Sequence, residues 1–238
     1  MRMMDVEDTS DIYIIAFVDP NNKQSTDTHF RCTTGTASFN WRIVLPLEVP
    51  RVSNKLYLYA YDKDIFSKDD FISGAEIDLT DLIKIPKNLD QPISFNQSYV
   101  KSVSENEKNK YEGVEFINEG SEREKTKFWI QCYQNNKKSG RILCSLEILP
   151  KWRAELNKVG LGRKEPNVSP YLPPPVGRFK WSLNPFTVLN QCVGPRFRKK
   201  LYCWICLICL IVYLIFLIPY MIYHFTGQLL NPFNYIKK

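Results

Sequence analysis

Leu201 to Tyr223 is a run of 23 residues without a charge, LYCWICLICLIVYLIFLIPYMIY. No other stretch limits the folding of this chain so strongly. Coiled as a helix it reaches about 35 Å, enough to cross a hydrocarbon core of roughly 30 Å. A helix that is apolar on every side has no polar face to show to water beside a small soluble core. The run is therefore expected to be a single transmembrane helix. Tyr202, Trp204, Tyr220 and Tyr223 suit the two interfaces, and Pro219 lies one turn from the far end, where a kink costs little.

Charge divides along the 238 residues. Residues 1–150 hold 19 Lys and Arg against 23 Asp and Glu, and residues 151–238 hold 13 against 2. A basic segment beside an apolar span points to a membrane surface, and no nucleic-acid partner is expected. Arg196, Arg198, Lys199 and Lys200 abut the span on its N-terminal side, while only Lys237 and Lys238 follow it. The positive-inside rule then puts residues 1–200 in the cytosol and leaves 224–238 as a short extracytosolic tail. Met1 to Asp11 lacks the apolar core of a signal peptide, so a tail-anchored arrangement is expected, at the plasma membrane or on intracellular vesicles. Cys32, Cys132 and Cys144 read as small apolar strand residues of a reducing compartment. Cys203, Cys206 and Cys209 recur every third residue, where a zinc set would face lipid without a fourth ligand. They read as lipid-facing small residues, with S-acylation of Cys203 or Cys192 as the alternative.

Upstream of the tail, short apolar and aromatic segments alternate with turn residues. Strands are expected at Ile12 to Val18, Thr28 to Cys32, Phe39 to Pro46, Lys55 to Tyr61, Ala75 to Leu79 and Phe128 to Tyr133. A last arm is expected from Arg141 to Leu149, after a turn at Asn135 to Gly140. Strand signals about every 12 residues without a long helical period predict an all-β, antiparallel sandwich over residues 1–150. Asp81 to Lys84 reads as one helical turn. Lys101 to Lys127, with six Lys and Arg and seven Glu, reads as a mobile charged insertion (about 96–127) rather than an element. Residues 151–200 read as a basic linker kept extended by Pro166, Pro170 and Pro173 to Pro175.

Two acidic loops precede or follow strands. Asp62, Asp64, Asp69 and Asp70 fall within nine residues, and Asp5, Glu7, Asp8 and Asp11 lead into Ile12. Clustered carboxylates are tolerable when solvated or when a cation lies among them. A solvated acidic turn is the plain alternative. No catalytic set accompanies them, since His29 and His224 are the only histidines, and an enzyme is not expected.

The pattern of these loops resembles the calcium-binding loops of a C2 domain. Asp5 and Asp11 match the first loop, and Asp62, Asp64 and Asp70, with Ser67 between them, match the D-x-D-x5-D of the second. Ser10-Asp11-Ile12-Tyr13, Thr26 to Arg31, Phe39-Asn40-Trp41-Arg42 and Tyr61-Asp62-Lys63-Asp64 further resemble the ferlins, large tail-anchored proteins with several C2 domains. The resemblance implies an eight-stranded C2 sandwich, here with a short or missing first strand, followed by the anchor. It implies Ca2+ held by Asp5, Asp11, Asp62, Asp64, Asp70 and Ser67. Anionic phospholipid would be the partner, in calcium-triggered membrane fusion, trafficking or repair. Val6, Ile65 and Phe66 are then the loop tips that enter the bilayer, flanked by Lys63 and Lys68 toward phosphate. The rival expectation is a calcium-independent C2 adaptor for protein contacts. Asn184-Pro185-Phe186 resembles the tripeptide ligand of EH domains, an endocytic link.

Overall fold

In the computed structural model the described residues are 9–32, 34–49, 53–64, 67–84, 92–104, 110–118, 120–121, 124–192 and 195–229. They fall into two compact units, Met1–Phe179 and Lys180–Lys238.

The first unit contains nine described strands. They are β1 (Ile12–Phe17), β2 (Gln24–Ser25), β3 (Lys55–Asp62), β4 (Asp70–Asp78), β5 (Ile93–Ser94), β6 (Val114–Phe116), β7 (Phe128–Gln134), β8 (Lys137–Cys144) and β9 (Glu147–Ile148). Seven form one sheet in the order β2-β1-β3-β4-β7-β6 with β8 also on β7, and β5 and β9 form a second. Every ladder between them is antiparallel. The architecture is the antiparallel C2-type sandwich expected. The strand expected ahead of the first acidic loop lies at residues outside those described.

Alternation explains the central sheet. Along β3, Leu56, Leu58, Ala60 and Asp62 are buried while Tyr57, Tyr59 and Tyr61 are half-buried on the opposite face. Leu56 and Leu58 pack with Ile14, Ala75, Ile77, Phe95, Phe128, Ile130 and Ile142 in the main core. The edge-to-face pair Phe95–Phe128, centroids 4.8 Å apart, fills its middle. The β7–β8 hairpin turns through Asn135 and Asn136, both with φ above +45° (49° and 61°). A two-residue turn with both φ positive matches strand twist, so β8 starts at Lys137. Lys137 to Gly140, expected in the turn, are thus strand.

Further expectations are corrected. Neither Thr28 to Cys32 nor Phe39 to Pro46 is a strand; in the first His29 alone forms a bridge, to Ile12, and in the second Arg42 alone, to Gly162. The charged insertion is not featureless. Its described residues include helix α2 (Gln97–Ser104), strand β6 and a 3-10 turn at Glu124–Thr126. Val114 and Phe116 pack on the main core, which holds the segment despite its polar composition. Helix α1 (Thr80–Lys84) matches the expected turn, with Lys110 from the insertion bonded to Asp81 and 3.5 Å from Asp78.

The last correction concerns the linker. After α3 (Lys151–Leu156), residues 160–179 lie against the domain as a strap. Arg42 donates to the carbonyls of Gly160 (2.9 Å), Val168 (2.7 Å) and Pro170 (2.5 Å). Arg178 grips Asp27 with Nε and Nη2, each at 2.7 Å, and Arg163 joins the same carboxylate. The Arg163 guanidinium also stacks 4.7 Å from the Trp41 ring centre, and Arg178 lies 5.5 Å from Phe39. Phe39 to Arg42 therefore spend their backbone and rings on the strap instead of a ladder. A run of basic residues and prolines reads as solvated linker unless half-buried partners such as Asp27 are known.

His29 lies beneath this strap, and its Nδ1 accepts the backbone N–H of Ser38 at 3.2 Å. Burial, reinforced by Arg178, holds its pKa below the ordinary value of 6.5. The neutral form is favoured when folded, so this contribution is complete above 6.5 and is lost as pH falls through the lower folded value. Proteolysis of the strap at Arg163 or Lys164 is expected to accelerate across that interval, and less so in His29→Asn. A rate independent of pH from 7.5 to 5 in the wild-type chain excludes the coupling.

In the second unit, α4 (Pro185–Cys192) and α5 (Pro195–Leu229) follow residues 180–184. The Gln191 side chain brackets the backbone of Lys180, accepting its N–H at 2.6 Å and donating to its carbonyl at 2.7 Å. Helix α5 includes the expected span Leu201 to Tyr223, with Pro219 inside it, and extends past both ends. Arg198 to Gly227 is long and apolar enough to cross a membrane, and its side chains are not buried in the protein. Arg196, Arg198, Lys199 and Lys200 occupy its first turns.

Candidate functional site

The strand registers gather the acidic residues. Ile12 pairs with Asp62 across β1 and β3, and Asp62 pairs with Asp70 across β3 and β4. Asp11, Asp62 and Asp70 therefore share one end of the sheet. Asp62 follows Leu56, Leu58 and Ala60 on the inward parity of β3, which makes it a buried acid, 2% exposed. Its Oδ1 accepts the backbone N–H of Asp11 at 2.6 Å, and the Asp11 carbonyl accepts the N–H of Lys63 at 2.9 Å. A carboxylate oxygen on a backbone donor offsets the cost of burial. Asp11 in turn takes the N–H of Arg31 on its Oδ1 at 2.6 Å.

The second loop is braced internally. Ser67 Oγ donates to Asp64 Oδ2 at 2.6 Å. Asp69, outside the expected ligand set, accepts the Asp64 N–H on Oδ1 (3.1 Å) and the Tyr13 hydroxyl on Oδ2 (2.5 Å). Burial and then Asp69 push the Tyr13 pKa well above its ordinary value, so the phenol remains a donor. Tyr13 also stacks on Tyr61, centroids 5.8 Å apart, which fixes β1 beside the loop. The tandem Asp69-Asp70 was the available signal for this brace. Lys63, Ser67, Lys68 and Asp70 are exposed and Asp64 is half-buried. Asp5 and Val6, and Ile65 and Phe66, lie outside the described residues.

The donor set is chemically suited to a hard cation, being carboxylates and a hydroxyl on facing loops. Among the described residues, however, no three His, Cys, Asp or Glu side chains converge closely enough to hold a metal ion. The carboxylates of Asp11, Asp62 and Asp64 each engage a protein donor. The residue types suit calcium, and among the described residues the side chains do not form a cage.

A sheet of this topology, with acidic loops at one end and a long apolar helix downstream, defines a C2-type membrane module. The C2 domain profile matches residues 1–96. Alignments of 223 positions, taking in 81% of this chain, give 31% identity to myoferlin of Xenopus tropicalis, 30% to that of Mus musculus and 28% to that of Homo sapiens. The chain belongs to the ferlin family, as a C-terminal part. It spans only 10 to 11% of the length of these relatives. With its apolar helix, it is a membrane-anchored chain.

Proposed function

We propose that this chain is a non-enzymatic, tail-anchored C2 module that binds calcium and anionic phospholipid in membrane fusion, trafficking or repair. The observation that supports it best is the β1–β3–β4 register, which brings the two acidic loops to one end of the sheet. Asp5, Asp11, Asp62, Asp64 and Asp70, with Ser67, would hold the ion. Calcium supplies positive charge there, and lipid phosphate completes its oxygen shell. Lys63 and Lys68 stand exposed to meet the phosphates, and Val6, Ile65 and Phe66 are assigned to the apolar insertion. The test is liposome co-sedimentation of the full chain, inserted in detergent-free nanodiscs, with calcium or chelator.

A second reading is a calcium-independent adaptor, favoured by the internal bracing of Asp62 and Asp64. Asn184-Pro185-Phe186 bears on it. Asn184 Oδ1 accepts the N–H of Phe186 at 2.9 Å, a turn that leaves the ring 70% exposed at the start of α4. An EH domain is the partner proposed for it.

Residues 1–200 are assigned to the cytosol and 224–238 to the far side. The sequons at Asn96 and Asn167 report on this. Asn96 Oδ1 takes the Tyr99 N–H at 2.9 Å, and Asn167 brackets the backbone of Leu172, both contacts at 3.0 Å. Neither is expected to carry a glycan in cells, and a glycosidase-sensitive mass shift at either one reverses the topology.

A further inference from the structure

The outer face of the sheet carries a groove that none of the acidic-loop chemistry uses. It has a volume of about 670 Å³ and runs across β3, β4 and β7 toward β6. A β-bulge shapes it. Ala60 pairs with Ser73 but Tyr61 pairs with Phe71, so Ile72 is an extra residue in β4. That extra residue switches Phe71 to the outer face, 40% exposed, where it meets Tyr59 and Tyr61 edge-to-face at 5.7 and 5.6 Å. Gly74, opposite both Tyr59 and Tyr133, forms the floor. A Cβ there would lie 2.8 Å from the Tyr59 ring, so glycine keeps the floor low.

We infer that this groove is a binding site for a proline-rich, polyproline-II peptide carrying a basic residue. The face of a sheet offers no unpaired backbone for strand addition. A polyproline-II ligand asks for none, because its backbone makes no ladder and proline lacks an N–H. It asks instead for aromatic ridges and donors to its projecting carbonyls. Tyr57, Tyr59 and Tyr61 supply ridges at alternate positions of one strand, and their hydroxyls bond to no described residue. Charge selects the basic residue. One end is formed by Glu76, Lys110 and Glu112. Lys110 is held by Asp81 and Asp78, and Glu76 is already paired with Lys55 at 2.9 Å, so Glu112 is the lining acid left to meet a basic ligand residue there. The volume exceeds that of a lone lipid headgroup and suits a peptide of several residues.

The test uses the full chain in nanodiscs, in chelator, and fluorescence anisotropy of a fluorescein-labelled peptide of pattern basic-x-x-Pro-x-x-Pro. Tyr59→Ala is expected to weaken binding about tenfold, the scale of one central contact residue. Glu112→Gln is expected to weaken it about twofold to fivefold, and only while the peptide keeps its basic residue. Replacing Tyr57, Tyr59 and Tyr61 together by Phe keeps the rings and the fold while removing the carbonyl donors, and is expected to weaken binding as well. Equal binding of a proline-free peptide of the same charge overturns the inference. So does binding indifferent to all of these substitutions. Displacement of the peptide by phosphocholine vesicles, itself abolished by the same substitutions, would assign the groove to lipid and also overturn it.

Discussion

Asp64→Asn is expected to weaken calcium binding by roughly tenfold or more while leaving the fold intact, because calcium affinity follows the number of charged oxygen ligands. Asparagine keeps an oxygen that Ser67 Oγ, now 2.6 Å from Asp64 Oδ2, can still reach. Asp64 is half-buried and pairs with no core residue. Phe66→Ala is expected to separate the two steps. It spares calcium and weakens only the membrane step, by about 1.5 to 3 kcal/mol for a fully inserted ring. Added salt is expected to weaken the attraction to lipid more than this apolar part. The measurement is liposome binding against free calcium for wild type and both variants. Identical curves for wild type and Asp64→Asn, or binding unchanged in chelator, eliminate the calcium switch and leave the adaptor.

The second large effect is expected at the strap. Asp27→Ala removes the carboxylate shared by Arg163 and Arg178 and leaves two guanidinium groups short of their anion. A loss of about 2 to 3 kcal/mol is expected, the scale of a hydrogen-bonded charge left without its partner. Gly177→Ala acts on the same contact by geometry. Gly177 has φ of +75°, and a Cβ would fall 2.3 Å from His29 Nε2, while its carbonyl accepts the N–H of Phe30. Burial alone would raise the Asp27 pKa, but Arg178 and Arg163 together hold it below the ordinary carboxylate value. Its contribution is thus complete above about pH 3.9 and disappears as pH falls through the folded value. Urea unfolding of the full chain in mild detergent measures both variants. A midpoint within experimental error of wild type for Asp27→Ala shows that the strap adds nothing to the domain.

The central strands and the apolar span were legible because each carries its own period. Leu56-Tyr57-Leu58-Tyr59-Ala60-Tyr61 alternates inward and outward, and Leu201 to Tyr223 has no polar face. The acidic loops were legible as positions but not as contacts. Spacing marked Asp62, Asp64 and Asp70, whereas Tyr13 and Asp69 meet only through a separation of 56 residues. The strap was illegible for the same reason. Arg42 read as part of a strand, and Arg163 and Arg178 as part of a basic linker, until Asp27 and the carbonyls of 160–170 stand opposite them. Local composition reports what a segment can do alone, and the strap's contacts are supplied from more than 100 residues away.

The inward parity of Asp62 divides the acidic residues into two kinds with different fates. Asp62 ends a row of core side chains and holds Asp11 by its backbone, so the domain needs it whether or not any ion arrives. Asp64, Ser67 and Asp70 answer to no such demand. Related chains that abandon cation binding should therefore shed the loop acids first and retain the buried one as a relic of the fold. In such a lineage an aspartate at position 62 is no marker of metal dependence, and the state of 64, 67 and 70 is the informative trace.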